Sequence, residues 1–151
     1  MSSEPRLIPC STSEIATRLA ELADAGMAFL GRDLLVEPIP MISARFARAK
    51  TRLFAVPGRA GLVGITPLNV YQAAIDVALP DATGYADVIA TALKLSATHL
   101  GLRTVVRYEP NRDDRAVHFE HAGLRLLGVL RGARFQDGAY HDQRVWIGVT
   151  G

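Results

Sequence analysis

A chain of 151 residues, 49% hydrophobic and 21% charged, is long enough to bury one core as a single domain over residues 1–151, which excludes the disordered and fibrous classes. Lys and Arg exceed Asp and Glu by 17 to 15, and the basic residues are scattered (Arg45, Arg48, Lys50 and Arg52, then Arg103, Arg107, Arg112 and Arg115), so no nucleic-acid footprint stands out. Cys10 is the one cysteine, no apolar run reaches the length of a membrane span, and the N-terminus lacks a signal-peptide pattern; a cytoplasmic protein without disulfides, cysteine metal sites or a membrane partner is expected.

"RLIPC" at 6–10 reads as a short strand. In "STSEIATRLAELADAG", Ser11 or Ser13 can cap a helix with the apolar stripe Ile15, Leu19 and Leu22, and Gly26 ends it. Gly31, Pro38 and Pro40 interrupt the next segment, which predicts a loop and then a second helix from about Pro40. "RLFAVPG" and "AGLVGITPL" form a hairpin around Pro57 and Gly58, and "VYQAAIDVAL" (70–79) continues as a strand. "ADVIATALKLSATHLG" (86–101) is a helix stopped by Gly101. "LRTVVRYE" is a strand and "DDRAVHFEHAG" a short helix with acidic residues at its start. "LRLLGVLRGARF" and "DQRVWIGVT" are two last strands, hinged by "QDGAY" with its Asp137–Gly138 turn. This order predicts a mixed α/β sheet with helices on its faces and a right-handed crossover through the helix after Gly84.

That crossover is the most informative junction. "LPDATGYADVIATALKL" (79–95) runs from a strand end through a glycine loop into a helix, which aims backbone amides and a positive dipole end at one point and makes a natural anion site. Asp81 stands at its mouth.

The C-terminal half, "HLGLRTVVRYEPNRDDRAVHFEHAGLRLLGVLRGARFQDGAYHDQRVW", resembles the corresponding half of the GNAT acyltransferase superfamily. The resemblance is strongest to the branch that acetylates ribosomal-protein N-termini and related amines. It is carried by "LGL", the "N…A…FE.AGL" stretch, "GVLRG" and the "DGAYHD" hairpin, over residues 97–146. It implies a mostly antiparallel sheet of six to seven strands with helices on both faces and a central V-shaped split that binds acetyl-CoA. A small-molecule or peptide amine would attack the thioester there. The resemblance further implies that backbone groups of Val77, Ala78 and Leu79, and of Ala82, Thr83, Gly84, Tyr85 and Ala86, hold the cofactor, with Asn111 bonding ligand amides.

Three positions depart from the family pattern. Asp81 replaces a Gln or Arg of the pyrophosphate loop, and a carboxylate ~6 Å from a pyrophosphate would be repelled by ~1–3 kcal/mol at an effective dielectric of about 20 to 40. Phe119 stands where the family commonly has a tyrosine that protonates the leaving thiolate. Ala74 stands where it often has a glutamate base. Asp76, on the same strand face as Ala74, is the nearest replacement base; the alternative is a carboxylate paired with an arginine.

Tyr140 and His141 are candidate proton carriers in the hairpin, although with Asp142 they can equally fix the last strands. His118 and His121 lie three apart without a third ligand, so no metal is expected. Cys10 reads as a small buried apolar residue. The arginines from 103 to 115 read as a solvated face rather than a phosphate clamp.

Three functions stay open. The first is an acyl-CoA-dependent N-acyltransferase. The second is a protein of this fold that has lost acetyl-CoA and binds a ligand or partner, with a homodimer through an edge strand or the C-terminal hairpin. The third is the same fold turned to a different reaction of a biosynthetic pathway.

Overall fold

The N-terminal helix sets its own limits from local sequence. The Glu14 amide donates to the Ser11 hydroxyl at 3.3 Å and the Glu14 carboxylate accepts from the Ser11 amide at 3.5 Å, a capping box that starts α1 (Thr12–Asp24). Gly26, at φ +71°, turns the chain out of it. Pro40 lies in the first turn of α2 (Ile39–Arg48), where a missing amide costs nothing. The computed structural model describes residues 4–109, 114–136 and 138–150; Asn111, Arg112 and Asp137 lie outside them.

The strands are β1 (Ile8–Pro9), β2 (Arg52–Ala55), β3 (Leu62–Pro67), β4 (Gln72–Ala78), β5 (Thr104–Tyr108), β6 (Arg125–Gln136) and β7 (Ala139–Val149), with α3 (Tyr85–Thr98) and α4 (Ala116–His121) on the crossovers. The element order is the one expected from sequence. The strands form one sheet in the order β1-β2-β3-β4-β5-β7-β6. Every pairing is antiparallel except β4–β5, the parallel pair joined through α3. Among the described residues no helix is long and apolar enough to cross a membrane.

Two buried clusters cover the two faces. Ala73, Ile75, Val77 and Leu79 point into one with Val88, Ile89 and Ala92 of α3, Phe119 of α4, and Val105 and Trp146 of the sheet. Ala78 points into the other, with Leu19 and Leu22 of α1 and Ile42 and Phe46 of α2. Period-two alternation along β4 therefore turns Asp76 toward the α1–α2 side.

Gly64 is required where the α1–α2 connection crosses β3. A Cβ there would stand 2.6 Å from Leu30 Cδ1 and 2.7 Å from Phe29 Cζ, so only a bare backbone lets that connection lie on the sheet. Leu30 itself takes a positive φ of 49°, a conformation unfavourable for a γ-branched residue that the surrounding contacts hold in place.

Candidate functional site

The central split begins where one pairing ends. β4 and β5 are in register from Gln72/Thr104 to Ala74/Val106, yet β4 runs on to Ala78 while β5 stays bonded to β7 as far as Tyr108. The peptide groups of β4 beyond Ala74 that face β5 thus need other partners. Ala78 is not among those groups: Val77 O and Leu79 N face the freed edge, so by alternation the Ala78 peptide groups turn toward β3, where Leu62 is its register partner, and not toward the split as the sequence reading expected.

The chain's own side chains meet the exposed edge. The Tyr85 hydroxyl donates to Val77 O and accepts the Leu79 amide at 3.1 Å. Arg115 Nη1 donates to Val77 O at 2.9 Å. Tyr85 is 3% exposed, its ring stacks on His118 at 4.5 Å, and burial above all raises the pKa of its phenol.

Deeper in, Asp76 ties the two faces of the sheet together. Its Oδ1 accepts Arg107 Nε at 3.2 Å, Arg115 Nη1 at 3.4 Å and the Val77 amide at 2.9 Å, while Oδ2 accepts the Leu30 amide at 2.9 Å. Arg107, from β5, lies with its guanidinium carbon 4.0 Å from the Phe119 ring centroid and reaches Asp76 through the split. Arg115, at the head of α4, passes the same way to donate to Ala28 O at 3.1 Å.

These contacts correct two sequence expectations. Asp76 is 2% exposed, and its oxygens accept from two arginines and two backbone amides, so it lies buried in an ion-pair network rather than open to a substrate amine; the arginine-paired alternative describes it. Arg107 and Arg115 are 0% and 5% exposed, not members of a solvated face. Phe119, fully buried, supplies the aromatic face on which Arg107 rests, a role that a tyrosine hydroxyl would not improve.

The outer end of the split is the α3 loop. Asp81 turns onto the loop itself: its Oδ1 accepts the Thr83 amide at 2.9 Å, and this bond holds its carboxyl below the usual range. Ala82 O accepts the Tyr85 amide, and Gly84, at φ +65°, is the N-cap. The amides of Gly84, Ala86 and Asp87 have no partner among the described residues, as expected of a helix start.

A positive charge that the sequence reading missed also reaches this loop. Arg59 Nη2 donates to Asp81 O at 2.7 Å, and Nη1 lies 3.9 Å from where a Cβ on Gly84 would be. Arg18 braces the same turn through Arg59 O at 2.6 Å and Gly61 O at 3.2 Å. The loop that lacks Gln or Arg at position 81 therefore has a guanidinium from the β2–β3 connection. Arg59 follows the Pro57–Gly58 turn, and nothing local in the sequence ties it to residue 81.

The hairpin candidates lie elsewhere. Tyr140 is 73% exposed, and its ring partner is Phe135 at 5.1 Å, also exposed; a catalytic tyrosine would need contact with the split, and this one packs on the hairpin surface. His141 is the register partner of Arg134, whose Nη2 donates to Gly31 O at 3.4 Å, so it lies beside the residue that joins the hairpin to the α1–α2 connection. Asp142 accepts the Gly132 amide at 2.9 Å and fixes the irregular stretch of β6. Cys10 is half-buried, and burial chiefly raises its pKa, which makes it a poor nucleophile. Among the described residues no three His, Cys, Asp or Glu side chains gather as a metal site.

A cofactor of the CoA type meets two different environments here. Its phosphates would find unpartnered amides and Arg59, a fit on both charge and hydrogen bonding. Its amide-bearing arm would find Val77 O and Leu79 N already bonded, and would fit that edge by exchange with Tyr85 and Arg115.

No family model matches the chain, and no curated protein sequence does. Solved structures do match. The spermidine N-acetyltransferase of Vibrio cholerae in complex with CoA and spermine is 19% identical, with a TM-score of 0.77 over 99% of this chain and 97% of that one. A chimera of that enzyme with hSSAT (18%, TM-score 0.73, 98% and 96%) and a phenylalanine-to-glycine variant of it (17%, TM-score 0.74, 99% and 95%) match as well. At this identity the likeness is one of fold, and it covers nearly the whole length of both chains, including the N-terminal half for which the sequence resemblance rested on element order alone.

Proposed function

We propose that the chain is an acyl-CoA-dependent N-acyltransferase whose acceptor is a small amine. One observation carries this reading: the parallel β4–β5 pair parts after Ala74 and Val106, and the freed β4 edge leads to the N-terminus of α3. An extended, amide-bearing arm can lie along such an edge with its phosphates on the helix amides. Full-length likeness in fold to an acetyltransferase seen with CoA and spermine supports the same reading.

The amides of Gly84, Ala86 and Asp87 and the guanidinium of Arg59 would hold the phosphates. Val77 O and Leu79 N would face the arm once Tyr85 and Arg115 release them. When bound, the cofactor supplies an activated acyl thioester. The chain then has to orient the amine and move protons. Asp76 orients by fixing Leu30 and the two arginines rather than by taking a proton. Phe119 has no proton to give, which leaves that task to water or to His118, the ring stacked on Tyr85.

One observation favours a second reading. Tyr85 and Arg115 already satisfy the β4 edge, as they would in a protein of this fold that has given up transfer and binds something else. Calorimetric titration of acetyl-CoA against the native chain, Asp81→Arg and Tyr85→Phe separates the two. Micromolar binding to the native chain, tighter in both variants, and acetylation of an amine are expected; binding that appears in the variants alone supports the second reading.

We also propose a homodimer through β6. It is an edge strand, and Leu126, Leu127, Val129 and Leu130 on it are each 47–60% exposed, an edge that natural proteins rarely leave bare. Light scattering should give twice the chain mass, and Leu127→Lys should return it to the monomer value.

A further inference from the structure

The connection between α1 and α2 is ringed by arginines. Arg115 donates to Ala28 O at 3.1 Å and Arg134 to Gly31 O at 3.4 Å. Arg107 lies beneath, on the Asp76 carboxylate that accepts the Leu30 amide. Arg32 and Arg45 sit 3.7 and 3.6 Å from the same carboxylate, that of Glu37.

Among the described residues, the acids Asp33, Glu37 and Asp76 are engaged. Asp76 belongs to the buried network, and Asp33 accepts the Leu35 amide at 2.9 Å. Glu37 is shared by two guanidinium groups; its Oε2 has no hydrogen bond but lies against Arg45. Among the described residues, Arg32 and Arg45 thus share one carboxylate. Nη1 of Arg134 is buried and has no hydrogen-bond partner among the described residues. A charged donor shielded from water and unmet is unfavourable until an acceptor reaches it, and an anionic ligand at the loop is one such acceptor.

The loop covers the split from the α1–α2 side, opposite the face on which α3 packs. If the cofactor arm enters from α3, the amine has to approach past Ala28–Gly31. We infer that the acyl acceptor is an amine that also bears an anionic group, a carboxylate or a phosphate, held by Arg134 together with Arg32. This rests on the transferase reading and narrows it. A polyamine, the kind of ligand seen in the Vibrio cholerae enzyme, would bring only positive charge to a positive loop.

The test is direct binding followed by turnover. Calorimetry on the full chain with O-phosphoethanolamine, L-glutamate, propylamine and spermidine should rank one of the two anionic amines first, and which of them leads tells phosphate from carboxylate. Arg134→Gln should weaken that ligand about tenfold or more, the usual effect of losing a charge-assisted hydrogen bond, and leave propylamine unchanged. In turnover the same variant should raise KM for the anionic amine and spare kcat. Spermidine binding as well as or better than the anionic amines, or an Arg134→Gln chain with unchanged affinity, overturns the inference. So does the failure of both anionic amines to bind. Arg134→Lys keeps the charge and should recover part of the loss, which separates recognition from loss of the hairpin contact to Gly31. Absence of acetyl-CoA binding with anionic-amine binding intact would defeat the transferase reading and leave the anion site standing.

Discussion

The two ends of the central split are built on opposite principles. At the α3 end, backbone amides of Gly84, Ala86 and Asp87 have no partner among the described residues and Arg59 adds positive charge beside them. At the Asp76 end, the carboxylate is surrounded: two arginines and two amides take up its oxygens, and Tyr85 and Arg115 take up the strand edge next to it. An open set of donors can receive a ligand at little cost, whereas a satisfied, buried network resists change because each broken bond leaves a desolvated group behind. The first end is suited to holding a ligand, the second to holding the fold's two faces together.

The largest test of this contrast is Asp76→Ala. It removes the carboxylate that the buried Arg107 and Arg115 share, and about 3–5 kcal/mol of stability should be lost in urea unfolding. A loss below about 1 kcal/mol would mean that the network is not the structural tie described above.

Gly64→Ala probes the same end from the loop side. Its Cβ meets Leu30 and Phe29 at 2.6 and 2.7 Å, and a cost of about 1–3 kcal/mol is expected as both side chains are forced aside. Thermal unfolding measures it.

Tyr85→Phe lies at the junction of the two ends, and its two effects should have opposite sign. The Leu79 amide loses its acceptor while Val77 O keeps Arg115, so stability should fall by about 1–2 kcal/mol. Acetyl-CoA affinity should rise, since the edge is freed. A parallel fall in both would show that the hydroxyl does not compete with the arm.

The smallest effect belongs to Asp81. Its folded-state pKa is depressed below the ordinary 3.8, chiefly by the Thr83 amide, so its contribution is present above the unfolded value and is lost as pH falls through the folded one. Following the Thr83 amide by NMR should show a transition below the usual carboxylate range. A transition at the ordinary value would mean that the bond does not persist in solution.

Much of the fold was legible because it depends on local patterns. Ser11 with Glu14, Pro40, Gly84 and Gly101 mark helix limits through backbone rules that act within a few residues, and the alternation in "QAAIDVAL" marks β4. The parting of β4 from β5 came from the family resemblance. Local rules failed at charges whose partners are far away in the chain. Asp76 and Arg107 are 31 positions apart, Arg59 and Asp81 22, and Arg134 and Gly31 103.

For that reason the sequence leaves Asp76 open between a replacement base and an arginine-paired carboxylate, and reads Arg115 as part of a solvated face. The residue types, their order and the glycine loop were set by the sequence itself. Which carboxylate is neutralised, which loop amides stay open and which arginine closes the strand edge are decided only when distant segments meet, because desolvation and charge pairing act through space and not along the chain.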